Sequence, residues 1–190
     1  VFSIPENAMK SVVPNYRIEG LTVQNLIKNG DFSDGTEGWH FWKSSYKNNE
    51  ITFQVGGSVS VRPYLHSSIK GSKVYIFANY TSKSDSIRLM INDNFRQFNN
   101  LEGSIFVLTN TDVGFALDYN STTGFIKNPS FSLYNLTQMF GAGNEPSKEW
   151  CDANLPDYVE GTKSVQLPLR VKSVGENLFD LNLINKVPYE

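Results

Sequence analysis

The chain has 190 residues, a formal net charge of −2 and aromatic residues at 13%, against 19% charged residues. This length can bury a core of its own, and the charge leaves no basic footprint for nucleic acid or an anionic membrane surface. A single cysteine, Cys151, and two histidines, His40 and His66, exclude an internal disulfide and most histidine-based zinc sites.

The chain opens at Val1 without a methionine and stops in the middle of a pattern, which reads as a fragment of something longer. No apolar run is long enough to span a bilayer, so no membrane insertion is expected. Lys10-Ser-Val, followed by Arg17 and Ile18 with a proline between, recurs at Lys163-Ser-Val, Arg170 and Val171, and an Asn-Leu pair follows each copy. The recurrence predicts a lead-in over 1–20 and a related segment or linker beginning at 163–190.

Residues 25–39, Asn-Leu-Ile-Lys-Asn-Gly-Asp-Phe-Ser-Asp-Gly-Thr-Glu-Gly-Trp, form the most informative stretch. Asn29-Gly30 and Asp34-Gly35 supply residues suited to positive φ, and Leu26, Ile27, Phe32 and Trp39 supply apolar groups around the turns. Trp39 is expected in the core. Next, Glu50–Val55 alternates, Gly56-Gly57 breaks the run, and Ser58–Pro63 resumes it, as a hairpin would. Val74–Tyr80 is apolar on both sides and predicts a central strand. Ile87, Leu89 and Ile91 alternate with polar neighbours before an Asn92-Asp-Asn turn. Strands are predicted over 104–108, 113–119 and 130–134.

Asn135–Gly141 predicts one helical turn ended by Gly141, and Pro146 marks the start of a second short helix carrying Trp150 and Cys151. The elements together predict an all-β, jelly-roll β-sandwich of about eight or nine strands over 21–140, with one or two short C-terminal helices in an appendage over 141–162.

Two stretches carry a family resemblance. Residues 25–39 and Lys70-Gly-Ser-Lys-Val-Tyr-Ile-Phe resemble galactose-binding-like jelly rolls of the carbohydrate-binding-module type. Residues 131–150, and Arg170-Val-Lys-Ser-Val-Gly-Glu-Asn-Leu-Phe-Asp after them, resemble tail and baseplate-associated proteins of phages and prophages of Gram-positive bacteria. The resemblance implies a noncatalytic module in the virion tail that faces the host. Its partners would be a bacterial cell-surface polysaccharide or other tail subunits, with a homo-oligomer in the full-length protein. Two alternatives stay open: an architectural spacer within the tail, and an accessory module of a secreted glycoside hydrolase. Modules of this type often hold a structural calcium. Here Lys127 and Asn128 stand where acidic residues would be needed, so no cofactor is expected.

A sugar-binding face needs an aromatic platform with amides or guanidinium groups beside it. Trp42, flanked by Lys43 and Ser44, is the platform candidate. Arg62, Tyr64 and His66 alternate along one segment, and Tyr80, Arg88, Asn94 and Gln97 complete the candidate ligand-facing set. Asp85, Asp93, Asp112 and Asp118 stand mostly in turn-like contexts, where aspartate commonly caps the turn. No nucleophile elbow, triad spacing or carboxylate pair for hydrolysis is present, so catalysis is not expected.

Overall fold

The computed structural model describes residues 16–19, 22–54, 60–100, 102–161, 164–166 and 170–173. The chain forms two compact units, one of Thr22–Gln166 and one of Val1–Leu21 with Leu167–Glu190. In the second, β1 (Tyr16–Glu19) and β16 (Arg170–Ser173) pair antiparallel. Lys10–Asn15, Gly56-Gly57 and Asn177-Leu178 lie outside the described residues.

The unit 22–166 contains β2 (Thr22–Gln24), β3 (Trp39–Trp42), β4 (Ser44–Lys47), β5 (Glu50–Phe53), β6 (Ser60–Pro63), β7 (Lys73–Asn79) and β8 (Ser82–Lys83). It continues with β9 (Ile87–Ile91), β10 (Asn94–Arg96), β11 (Gly103–Val107), β12 (Val113–Leu117), β13 (Gly124–Lys127), β14 (Ser130–Asn135) and β15 (Ser164–Gln166). Two helices, α1 (Leu136–Phe140) and α2 (Lys148–Asn154), lie between β14 and β15.

A five-stranded sheet runs β10-β9-β12-β6-β3, a three-stranded sheet β11-β7-β14 and a four-stranded sheet β4-β5-β13-β8, while β15 pairs with β2. Every pairing is antiparallel. The unit is the all-β sandwich with two short helices that the alternation predicts. It has more strands than eight or nine, because β2, β8, β10 and β15 are only two or three residues long.

One core joins the three large sheets. Trp39, Val61, Leu89 and Phe115 come from the five-stranded sheet, Ile76, Phe131 and Leu133 from the three-stranded one, and Ile51, Phe53 and Ile126 from the four-stranded one. β7 is buried along its five central residues, as a central strand should be. The expected hairpin across Gly56-Gly57 does not form: β5 pairs with β4 and β13, whereas β6 pairs with β3 and β12. Two apolar alternating strands joined by glycines can equally well cross from one sheet to another, and alternation alone does not distinguish the two.

Asparagine makes the tight hairpins instead. Asn48 and Asn49 (φ 53° and 58°) join β4 to β5, and Asn92 and Asp93 (φ 52° and 62°) join β9 to β10. Paired positive φ in a two-residue loop is the type I′ turn that matches strand twist.

In the opening motif the left-handed positions are Asn29, Phe32, Gly35 and Gly38. Gly30 has no positive φ, contrary to expectation. Its small size is what counts, since a Cβ there would lie 2.3 Å from the Phe131 carbonyl oxygen. Asn29 ties the loop together: its Nδ2 donates to the carbonyls of Gly35 (3.1 Å) and Glu37 (2.9 Å), and its Oδ1 accepts from Asp34 N (2.9 Å). Trp39 is 4% exposed and its Nε1 donates to the Asn29 carbonyl at 2.8 Å.

Helix α1 is capped by the Asn135 side chain and ends at Gly141 (φ 85°). Helix α2 is capped by Ser147, so Pro146 lies before the cap rather than in the first turn.

Candidate functional site

The sandwich has two broad outer faces, and the sequence treats them differently. On the three-stranded sheet, Tyr75 and Tyr134 point away from the core, and the segment containing α2 lies over them. Tyr75 donates to Asp152 Oδ1 (2.7 Å), Tyr134 to the Pro156 carbonyl (2.8 Å) and Ser132 to the Asp157 carbonyl (2.9 Å). Burial pushes the Tyr134 phenol up to about 12, and burial with the Asp152 contact raises Tyr75 further. Cys151, Leu155 and Val159 in and after α2 are buried. This face is closed.

The outward positions of the five-stranded sheet are buried at its centre, at Ser60, Met90, Gly114 and Ala116, and exposed at its β3 edge. On edge strand β3 these are His40 and Trp42, whose rings stack with centroids 6.4 Å apart at 12°. Trp42 is 50% exposed. In the next strand β6, Arg62 lies directly opposite His40, and Ser60 opposite Trp42. On this side the middle strand β12 carries only Gly114 and Ala116, both buried. Gly114 has φ 155°, and a Cβ there would meet the Val61 carbonyl oxygen at 2.2 Å. Beyond it, β9 presents Arg88 and Met90, and edge strand β10 presents Phe95, packed edge-on against Tyr119 with centroids 4.5 Å apart. Four strand spacings separate the aromatic edges, about 19 Å at ~4.8 Å per strand.

The middle strand is flanked by two aspartates, and each takes an arginine on a neighbouring strand. Asp112, just before β12, pairs with Arg62 on β6, and the two side chains are 34% and 35% exposed. Asp118, just after β12, pairs with Arg88 on β9 at 2.8 Å. Arg88 Nη1 also donates to the Asp85 and Ile87 carbonyls, and the amide orientation of Gln97 that suits its surroundings places its oxygen 3.0–3.1 Å from the guanidinium. Arg88 is therefore locked by its neighbours, whereas the Arg62–Asp112 pair keeps open hydrogen-bonding capacity.

The structure gathers Trp42, Arg62, Arg88 and Gln97 on this face. Tyr64 follows in the same alternation just past the end of β6 and is 70% exposed. The remaining candidates sit elsewhere. His66 caps a 3-10 turn at Ser67–Ile69, its Nδ1 2.8 Å from the Ser68 hydroxyl. Tyr80 lies past the end of β7, edge-on to Phe98 with Lys83 over its ring. Asn94 is the first residue of β10, opposite Ile91 and one position out of alternation with Phe95, and its Nδ2 donates to the Asn92 carbonyl (2.8 Å).

Four residues of the face escape sequence reasoning: His40, Phe95, Asp112 and Tyr119. His40 could have been found from its two-residue spacing to Trp42. Asp112 and Tyr119 reach the face only through strand register. Lys127 pairs with Glu50 (3.4 Å), and Asn128 donates to Thr81 Oγ1 (2.9 Å). Among the described residues no group of three or more His, Cys, Asp or Glu gathers in a way that could hold a metal ion.

No protein-family model matches the chain, and no curated protein does. Among solved structures, a point variant of the family 29 carbohydrate-binding module CBM29-2 aligns at 17% identity over 63% of this chain and 85% of that chain, with a TM-score of 0.31. Another variant of a family 29 module aligns at 16% identity over 63% and 91%, also with a TM-score of 0.31. A third family 29 module, from Piromyces equi, aligns at 13% identity over 63% and 90%, with a TM-score of 0.18.

Proposed function

We propose that the unit 22–166 is a noncatalytic glycan-binding module that takes a polysaccharide at the exposed β3 edge of the five-stranded sheet. The observation that carries this reading is Trp42, half exposed and stacked on His40 beside the open Arg62–Asp112 pair. A pyranose offers an apolar C–H face for the ring and hydroxyls for the ion pair. The Phe95–Tyr119 pair on the far edge offers a second aromatic contact to a ligand longer than one sugar ring.

We place this module in a phage or prophage tail protein, facing the host surface, on the sequence resemblance at residues 131–150 and 170–180. The bacterial cell-wall polysaccharide is then the partner class. The pairing of β2 with β15 favours a pendant binding module over a spacer, because the two ends of the unit lie side by side and the unit adds little reach along a fibre. Binding of the purified chain to host cell walls and to a glycan array tests the reading. Retention that disappears when Trp42 is replaced supports it, and a folded protein that binds neither cell walls nor any glycan refutes it. Genes for tail proteins beside the coding sequence test the tail setting, and a glycoside hydrolase domain in the same reading frame would overturn it.

A further inference from the structure

Cell-surface polymers fall into two chemical classes, uncharged polysaccharides and anionic chains carrying phosphodiesters or uronates. The binding reading above leaves that choice open, and the charges on the face bear on it. The outward residues of β3, β6, β9, β10 and β12, with the aspartates flanking β12, include two arginines and two aspartates. Each arginine is matched to a carboxylate on the neighbouring strand. Arg88 is further held by two carbonyls and Gln97.

We infer that the face is built for an uncharged polyol chain and against an anionic polymer, an inference that rests on the glycan-binding reading. An anionic ligand gains from a basic site only where the cation is free to meet it, and to reach Arg62 it would have to displace Asp112 or sit beside it. Like-charge approach in a half-exposed setting is unfavourable. A neutral sugar meets no such penalty. Its hydroxyls donate to the free lone pairs of Asp112 and accept from the free N–H groups of Arg62, so both partners stay charged and paired. Asp112 thus acts as a selectivity residue: it neutralises Arg62 and supplies the acceptors for ligand hydroxyls.

The test compares retention of the whole chain by two polymer groups, at about 50 mM and about 500 mM NaCl. One group holds neutral mannan, xyloglucan and glucan, and the other polygalacturonate and polyglycerol phosphate. The proteins are the native chain, Asp112→Asn, the double variant Arg62→Gln/Asp112→Asn, and Trp42→Ala. The native chain is expected to bind a neutral polymer with little response to salt and to ignore the anionic pair. Asp112→Asn frees Arg62 without removing bulk. It should weaken neutral binding at least tenfold and gain salt-sensitive retention by an anionic polymer, and the double variant should lose that gain. Thermal unfolding of each variant confirms that it folds.

Salt-sensitive binding of the native chain to an anionic polymer, abolished by Trp42→Ala, would overturn the inference while leaving the glycan site standing. An Asp112→Asn variant that folds and keeps native preference would overturn it too. Absence of retention by every polymer in all four proteins would remove the binding reading, and this inference with it.

Discussion

Replacing each of two tryptophans three residues apart separates binding from folding. Trp42 is half exposed, so of the ~200 Å² a tryptophan can bury, about 100 Å² is left for a ligand. At about 25 cal/mol per Å², full coverage is worth about 2.5 kcal/mol and coverage of one ring face about half of that. Trp42→Ala should therefore weaken glycan binding roughly tenfold to sixtyfold. Its stability cost should be small, at most about 1 kcal/mol for the lost stack on His40, or about 2–4 °C in Tm. Trp39 is the opposite case. It packs against Phe32, Phe115 and Phe131 and donates to the Asn29 carbonyl. Trp39→Ala empties a core site and orphans that carbonyl, at a cost of about 3–5 kcal/mol. Affinity electrophoresis in a neutral polysaccharide, beside urea unfolding of both variants, measures the two effects. Unchanged retention of Trp42→Ala, or a stability loss equal to that of Trp39→Ala, would refute the assignment of the two rings to ligand and core.

Asn25 is fully buried and satisfies Ile27 N, Leu133 N and the Val159 carbonyl, so Asn25→Ala should cost at least about 3 kcal/mol in urea unfolding. Gly114→Ala would force β12 away from β6, lowering stability by about 1–3 kcal/mol and separating Arg62 from Asp112; a urea midpoint within error of the native value would show that the strands can yield there. Cys151 is buried and its thiol is pushed up to about 11, first by burial and then by Asp152 and Glu149. It should resist a disulfide reagent at about pH 8 in the folded protein and react fully in urea. Tyr75, Tyr134 and Tyr158 hold their protons above the usual tyrosine value of about 10, so the unfolded chain releases protons first as pH rises. Stability should be intact below about pH 10 and fall toward pH 12, with tyrosinate absorbance rising together with loss of circular dichroism. Tyrosinate appearing near pH 10 in a still-folded protein would contradict the burial of these phenols.

Much of the sandwich is legible in the sequence because alternation reports burial directly. Ile51 and Phe53, Val74, Ile76 and Ala78, and Ile87, Leu89 and Ile91 occupy the core positions their spacing predicts. Sheet membership is another matter. The same alternation in 50–55 and 58–63 suits a hairpin or a crossover, and only the competition among all strands for partners decides it. The candidate site divides along the same line. Trp42 is visible because an exposed tryptophan among polar neighbours is locally odd. Asp112 is not visible, because its partner Arg62 is 50 residues away and the pair forms only when β12 lies beside β6. His66 misleads for a related reason: the alternation that places Arg62 and Tyr64 ends where the strand ends, and the next residues turn into a 3-10 cap.

Aromatic and polar side chains occur on both outer faces of the sandwich, so their presence alone does not distinguish structure from site. Tyr75, Ser132 and Tyr134 find their partners in residues 152–157, a segment whose helix is short enough to lay Cys151, Leu155 and Val159 into the same layer. On the other face the side chains of His40 and Trp42 stack on each other, and those of Arg62 and Asp112 pair. A polar group under a packed segment must be satisfied by that segment or destabilise the fold, so the closed face leaves nothing over for a ligand. An ion pair and a tryptophan in water carry no such requirement, and surface pairs of this kind add little to stability. An exposed aromatic ring beside a half-exposed ion pair is the arrangement on which the proposed glycan site rests. The Asp112→Asn and Trp42→Ala variants should accordingly change binding far more than they change unfolding.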